Sequence, residues 1–260
     1  MYDRDGFLVL EVLPQPVTDA LREVVSQYRY SNTGHFHYSL MANDLQGNRN
    51  LRSAIRDILS DFYASYFRDY RTVHESLLIK PAHTQEEMSL HQDWSIVDES
   101  AYQCATLWIP MSDVSEQNGS LFVLPGSHRW FDTIRSSSLP TARIESTGTL
   151  LAMCRSFDLR AGQAFLFHPA VLHGSYANRH SEDRIVVTAN IIADDADLIH
   201  YQKVSDSEVA VRQIDEDAML AGLKDMAHGK LNDLKESHRM QYTHRVPTYE
   251  EVMGRSAQLQ

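Results

Sequence analysis

ATLWIPMSDVSEQNGSLFVLPGS, residues 105–127, holds two short apolar runs, Ala105–Pro110 and Ser120–Leu124, punctuated by Asn118-Gly119 and Pro125-Gly126-Ser127. Runs of this length, bounded by Gly, Pro and Asn, read as strands joined by turns. The same texture extends outward from Thr72 to Ile192. Ser76–Lys80 lies upstream; Leu150–Phe157, Gln163–Phe167 and Arg184–Ile192 lie downstream, with Ala161-Gly162 as a further turn. Many short strands with Gly and Pro turns predict a sandwich or barrel-like jelly roll.

The flanks differ from this centre. Phe7-Leu8-Val9-Leu10 reads as extended, and Pro14 and Pro16 follow it. Val17, Leu21, Val24, Val25 and Tyr28 then recur at helical spacing. A second amphipathic helix is expected from about Asn50 to Phe67, with Leu51, Ile55, Ile58, Leu59, Phe62 and Phe67 on its apolar side. The polar segment Ser31 to Asn48 between them reads as loop. After Ile192 the chain is expected to return to helix, on the spacing of Ala218, Leu220, Leu223 and Met226. The expectation is one domain over residues 1–260: a helical N-terminal part to about 71, a jelly-roll core over about 72–192, and a C-terminal helical extension over about 193–260.

With 43% hydrophobic and 23% charged residues, the composition is that of an ordinary globular protein. The formal net charge of -11 argues against broad electrostatic binding of nucleic acid or anionic membrane. It leaves room for an anionic small molecule, because a few basic residues can override the mean field inside a pocket. The start, Met1-Tyr2-Asp3-Arg4-Asp5-Gly6, lacks the basic and apolar pattern of a signal peptide, and no apolar stretch is long enough to span a bilayer. A cytoplasmic location is therefore expected. The two cysteines, Cys104 and Cys154, sit among apolar residues and read as buried free thiols.

Thirteen histidines are present, and in such a chain about one H-x-D triplet arises by chance. His91-Gln92-Asp93 therefore means little by itself. On a strand, however, residues two apart point to the same face, so His91 and Asp93 could share one metal ion. His173 closes the apolar run Phe165–Leu172 and supplies a third ligand from a distant strand. Two histidines and a carboxylate on one face leave positions open, which is the triad of non-haem iron(II) oxygenases. Eleven residues after His173, Arg184 opens Arg184-Ile185-Val186-Val187-Thr188-Ala189-Asn190. Its guanidinium could hold the far carboxylate of a dicarboxylic co-substrate in a bidentate fork. The competing reading is a surface arginine at a strand start.

These residues fall in an ordered set that resembles the phytanoyl-CoA dioxygenase family of iron(II)/2-oxoglutarate oxygenases. The set runs Tyr2-x-x-Asp5-Gly6-Phe7, His91-Gln92-Asp93, Trp108, Asn118-Gly119-Ser120-Leu121 and Leu124-Pro125-Gly126-Ser127-His128. It ends with Phe167-His168-Pro169, His173-Gly174-Ser175, Asn178 and Arg184. The resemblance spans roughly residues 2 to 192. It implies a mainly β double-stranded β-helix, a jelly-roll form supported by helices. It also implies iron(II) on His91, Asp93 and His173, with 2-oxoglutarate anchored by Arg184 and O2 as the oxidant. By motif position Ser175 assists at that carboxylate, Trp108 lines the co-substrate pocket, and Gln92 reaches the co-substrate, although alternation sets Gln92 on the opposite face from the ligands. His168 is assigned a structural role in the strand-ending Phe-His-Pro, and His128 an ordering role in its turn. Lys80, just before a proline, either faces the pocket or snorkels to the surface.

The implied reaction is hydroxylation of an unactivated C–H bond of a small metabolite or natural-product intermediate, or another oxidative outcome such as desaturation or epoxidation, with release of succinate and CO2. A carboxylate at Asp93 leaves no vacancy for a halide, which argues against halogenation. Candidates for substrate contact are His35-Phe36-His37-Tyr38, Trp94-Ser95 and Trp130-Phe131, against the alternative of core packing. The competing classes are a cupin-like metal enzyme without 2-oxoglutarate and a non-catalytic jelly-roll binding module. Arg184 and Ser175 speak against the first, and the intact triad against the second.

Overall fold

The computed structural model describes residues 2–42, 44–131, 133–141, 143–145, 147–217, 219–220, 226 and 234–256. Alternation of apolar residues builds its centre. In β3 (Tyr70–Lys80), β5 (Cys104–Pro110), β8 (Gln163–Phe167) and β10 (Arg184–Ala193), successive side chains point to opposite faces. Leu77 and Ile79, Leu107 and Ile109, Ala164 and Leu166, and Val187, Ala189 and Ile191 share one face. That face packs on Leu21 and Val25 of α2 (Gln15–Gln27), Leu51 and Ile55 of α3 (Leu45–Ile58) and Tyr63 of α4 (Ser60–Tyr66). The other face supplies Trp108, Phe165, Phe167 and Val186, which meet Leu121 and Val123 of a second sheet.

Among the described residues the strands form three antiparallel sheets. The large one has the order β1-β8-β5-β10-β3-β2, where β1 is Phe7–Val12 and β2 is His37–Tyr38. The second has the order β4-β9-β6-β7, with β4 Met88–His91, β6 Leu121–Val123, β7 Arg155–Ser156 and β9 His173–Ser175. Two facing antiparallel sheets of non-sequential order, with helices against the large one, are the expected mainly β jelly roll. No helix among the described residues is long and apolar enough to cross a membrane.

Several expectations are corrected. The helix expected over 50–67 is two helices, because Leu59 (φ −91°, ψ 3°) leaves the helical path between α3 and α4. α3 also begins early, inside the expected loop, because the Asp44 carboxylate caps it by accepting from Gly47 N at 2.8 Å. The rest of that loop contains β2, paired to β3 through His37↔Ile79. The short helix α1 (Tyr2–Asp5) precedes β1, and β1 belongs to the large sheet, paired Phe7↔Phe167. Leu150–Phe157 is not one strand: α5 (Gly148–Leu151) precedes β7.

The C-terminal part is not helical throughout. It forms a third sheet of β11 (Ile199–Lys203), β12 (Glu208–Gln213) and β13 (Glu236–Gln241), followed by α6 (Tyr249–Ser256). Val252 of α6 is fully buried with Leu90, Phe122, Leu124 and Leu172 on the outer face of the second sheet. The tail helix expected on Ala218, Leu220, Leu223 and Met226 is found where the residues are described: Leu220 and Met226 are helical and buried beside Leu198 and Ile214, while Ala218 and Leu223 lie outside the described residues.

Candidate metal centre and anion pocket

The β4–β9 ladder places His91 directly opposite His173. Their ring centroids stand 4.4 Å apart. Asp93, two residues past His91, is held by its backbone: its N–H donates to Pro169 O at 2.8 Å, and Arg135 Nε donates to its carbonyl at 2.7 Å. Its Oδ1 lies 3.8 Å from His91 Nε2 and 3.6 Å from His173 Nε2. One ligand atom from each residue falls within 4.8 Å of the others.

Both rings are oriented by their other nitrogen. His91 Nδ1 sits 2.9 Å from Ser89 O and His173 Nδ1 2.9 Å from Val171 O. A carbonyl only accepts, so each Nδ1 carries the proton and each Nε2 keeps a lone pair for a metal. Burial, and then the neighbouring His173, hold the His91 imidazole well below its ordinary range, so it is neutral at pH 7. Two imidazole nitrogens and one carboxylate oxygen with converging lone pairs suit a mixed-ligand transition metal such as iron(II).

Two cations lie beside this group. Ser175 follows His173 by two residues on β9, on the same face and about 7 Å along the strand. Ser175 Oγ accepts from Lys80 Nζ at 2.8 Å, and Lys80 is paired in register with Arg184 across β3 and β10. Both are 2% exposed, and neither forms an ion pair among the described residues. Arg184 Nε and Nη1 are buried with no hydrogen-bond partner among the described residues, and its guanidinium carbon lies 5.5 Å from the Trp108 ring centre. Burial lowers the Arg184 pKa to about 10, so it remains charged at neutral pH. Burial, and then Arg184, lower Lys80 to about 7. A buried guanidinium with orphaned donors calls for an anion, since leaving a charged group unsatisfied is costly.

The structure thus brings His91, Asp93, His173, Ser175, Trp108 and Arg184 into one region and resolves Lys80 to the buried alternative. Gln92 is corrected: its Nε2 donates to Ala170 O at 2.6 Å and its Oε1 accepts from Thr133 at 3.3 Å. Gln92 lies just past the end of β4, and both ends of its amide are committed there. His168 Nδ1 accepts from Ala170 N at 3.0 Å, and His128 Nε2 lies 3.2 Å from Asp3 O, so both order local backbone. Trp130 and Phe131 pack with the outer-face core beside α6, away from the metal group. Trp94 stacks edge-on against His200, whose strand β11 lies outside the expected jelly roll. His37 Nε2 is 2.9 Å from Tyr28 OH, and His35 pairs with Glu86 at the surface.

Sequence reading missed Thr106, Asn190, His74 and Arg135. Thr106 Oγ1 lies 3.3 Å from Asp93 Oδ2. Thr106 stands two residues before Trp108, and Asn190 six after Arg184, so alternation alone sets both on the interior face. A polar residue at an interior position of an apolar strand is the signal that was available.

Comparison with known proteins agrees with this architecture. The sequence profile described as "Phytanoyl-CoA dioxygenase (PhyH)" matches residues 2–186. A curated "Phytanoyl-CoA dioxygenase" of Arabidopsis thaliana is 30% identical over 114 residues, 42% of this chain and 40% of the relative, so the match spans less than half of that protein. Among solved structures, the epimerase SnoN in complex with Fe3+, alpha ketoglutarate and nogalamycin RO has TM-score 0.55 and 20% identity over 76% of this chain and 82% of its own. HygX from Streptomyces hygroscopicus, with nickel and 2-oxoglutarate bound, has TM-score 0.54 and 15% identity over 75% and 85%. AviO1 from Streptomyces viridochromogenes has TM-score 0.51 and 18% identity over 75% and 93%. Likenesses at this level of identity speak to the fold.

Proposed function

The chain belongs to the phytanoyl-CoA dioxygenase family, and on that premise we propose that it is an iron(II)- and 2-oxoglutarate-dependent oxygenase acting on a small molecule. His91, Asp93 and His173 hold the metal. Arg184 binds the far carboxylate of 2-oxoglutarate, with Lys80 and Ser175 beside it and Trp108 walling the pocket. The observation that carries this reading is Arg184 itself, a buried cation with two orphaned donors set beside a three-ligand group.

When bound, iron(II) supplies the activation of dioxygen that couples decarboxylation of 2-oxoglutarate to oxidation of a C–H bond, giving succinate and CO2. The chain's own residues orient the partners. Lone pairs at His91 Nε2, His173 Nε2 and Asp93 Oδ1 converge from one side and leave the opposite side open to ligands. Arg184 neutralises the dicarboxylate where water is excluded by Trp108, Val186 and Phe165. Lys80 Nζ is already engaged by Ser175 Oγ and two backbone carbonyls, so it adds positive potential and fixes Ser175 while Arg184 supplies the free donors. The carboxylate of Asp93 fills the position that a halide would need, and hydroxylation is the reaction we assign.

The test is a succinate-release screen of the aerobic iron(II) protein with 2-oxoglutarate against amino acids, acyl compounds and natural-product intermediates. We expect a substrate that raises succinate formation stoichiometrically with a product heavier by one oxygen atom. Turnover of a substrate without succinate would remove 2-oxoglutarate from the account. Succinate with a product that gains no oxygen would replace hydroxylation by another oxidation.

A further inference from the structure

We infer that Thr106 is a positioning residue for Asp93, holding one carboxylate oxygen so that the other alone faces the two histidines. This rests on the metal-site reading above. The oxygens of Asp93 are divided: Oδ1 is the atom 3.8 and 3.6 Å from the two imidazole Nε2 atoms, and Oδ2 lies 3.3 Å from Thr106 Oγ1.

Donor and acceptor chemistry fixes the direction of the contacts behind it. A carboxylate only accepts, so Thr106 spends its one proton on Oδ2. Thr106 Oγ1 must then accept from Asn190 Nδ2, 3.2 Å away and directly across the β5–β10 ladder. That orientation leaves Asn190 Oδ1 facing His74 Nδ1 at 3.2 Å, and a carbonyl oxygen makes His74 Nδ1 the donor. The result is a one-way line of hydrogen bonds from His74 through Asn190 and Thr106 to Asp93. Thr106 is 7% exposed and His74 2%, so water competes little with it.

The backbone is shaped to complete this line. His74 lies at φ +60°, in the left-handed region, where β3 bulges against β10 between the pairs Val73↔Asn190 and Ser76↔Thr188. Such a conformation in a residue other than glycine is strained and persists only where its surroundings hold it. The bulge inserts an extra residue and brings the His74 ring to the Asn190 amide. A valine in place of Thr106 would suit the strand equally well, so the hydroxyl is explained by Asp93 and not by the sheet.

Losing such an outer partner lowers metal affinity by about 10- to 100-fold. The experiment is a manganese(II) titration of the purified apo full-length chain, followed by electron paramagnetic resonance, with unfolding midpoints recorded in parallel. Thr106→Val should bind manganese(II) roughly tenfold more weakly than wild type with an unchanged midpoint, Thr106→Ser should restore the affinity, and Asn190→Ala should give a smaller loss. Wild-type affinity in Thr106→Val, or a Thr106→Ser as weak as Thr106→Val, overturns the inference while the metal site stands. If Thr106→Val does not fold, equal affinities in Thr106→Ser and Asn190→Ala overturn it, and weaker binding in Asn190→Ala supports it. A wild-type chain that binds no manganese(II), or a His91→Ala chain that binds it undiminished, removes the metal-site reading and this inference together.

Discussion

Gly119 has φ +89°, and a methyl group on its Cα would stand 3.2 Å from both Lys80 Cδ and Tyr176 O and 3.4 Å from Arg184 Nε. The chain passes over Lys80 and Arg184 closely enough that a side chain there would press on both, in a left-handed backbone that favours glycine. Gly119→Ala is therefore expected to cost about 1–2 kcal/mol in urea unfolding, from the left-handed backbone alone, and to weaken 2-oxoglutarate binding by crowding Arg184. An unchanged affinity would mean that the loop can lift away from the pair. At this scale much of the candidate site was legible. The two-residue spacing of His91 and Asp93 announced a shared face, and Arg184 stood out as a charge opening an apolar strand. Thr106 was not legible, because its importance comes from where Asp93 arrives, and Asp93 arrives there through Pro169 and Arg135 from other parts of the chain. The motif position of Gln92 pointed to the co-substrate, but its amide is taken up by Ala170 O and Thr133 instead.

Among the elements, the strands of the large sheet and helix α2 declared themselves by strict periodicity. The third sheet did not. β13 reads Glu-Ser-His-Arg-Met-Gln with four of its six residues exposed, so it carries no apolar alternation and is a strand only because β12 pairs with it. The break at Leu59 was hidden for the opposite reason: Leu59 is buried with Ile55 and Tyr63, so the apolar stripe runs through the break. α3 is tied to β3 by more than that stripe. Arg56 forks onto Glu75 at 2.7 and 2.8 Å and also reaches Glu216 at 2.8 Å, and the Glu75 side chain is wholly buried. Arg56→Ala would leave that buried carboxylate without a cation, with the Thr72 hydroxyl donating to it at 2.6 Å. We expect a loss of about 3 kcal/mol, at the low end for buried pairs because the Arg56 side chain is about a third exposed. A loss below about 1 kcal/mol in urea unfolding, the range of surface pairs, would show that Glu75 is satisfied without it. Since Glu75 shares the bulge with His74, the same variant should loosen the line of contacts to Asp93.

Across the whole molecule, the chain carries a net charge of -11 yet buries Lys80 and Arg184 together without a carboxylate partner among the described residues. The mean field and the interior field have opposite signs, which sets the interior apart as a place for an anion. The jelly roll makes this possible by facing a helix-backed sheet with a second sheet whose strands β4 and β9 carry His91 and His173, with Asp93 just past the end of β4. The C-terminal sheet and α6 then cover what the two-sheet core leaves open, with Val252 sealing the outer face behind Leu90, the residue before His91. The most direct measurement is calorimetric titration of 2-oxoglutarate into the manganese(II)-loaded chain, with metal affinity measured alongside, for wild type and Arg184→Ala. The account predicts that wild type binds 2-oxoglutarate only when metal is present. It predicts that Arg184→Ala binds the co-substrate roughly 10- to 100-fold more weakly, the loss of one or two charged hydrogen bonds, with manganese(II) affinity preserved. Equal 2-oxoglutarate affinity in the two proteins, or loss of metal and co-substrate together in Arg184→Ala, would contradict it.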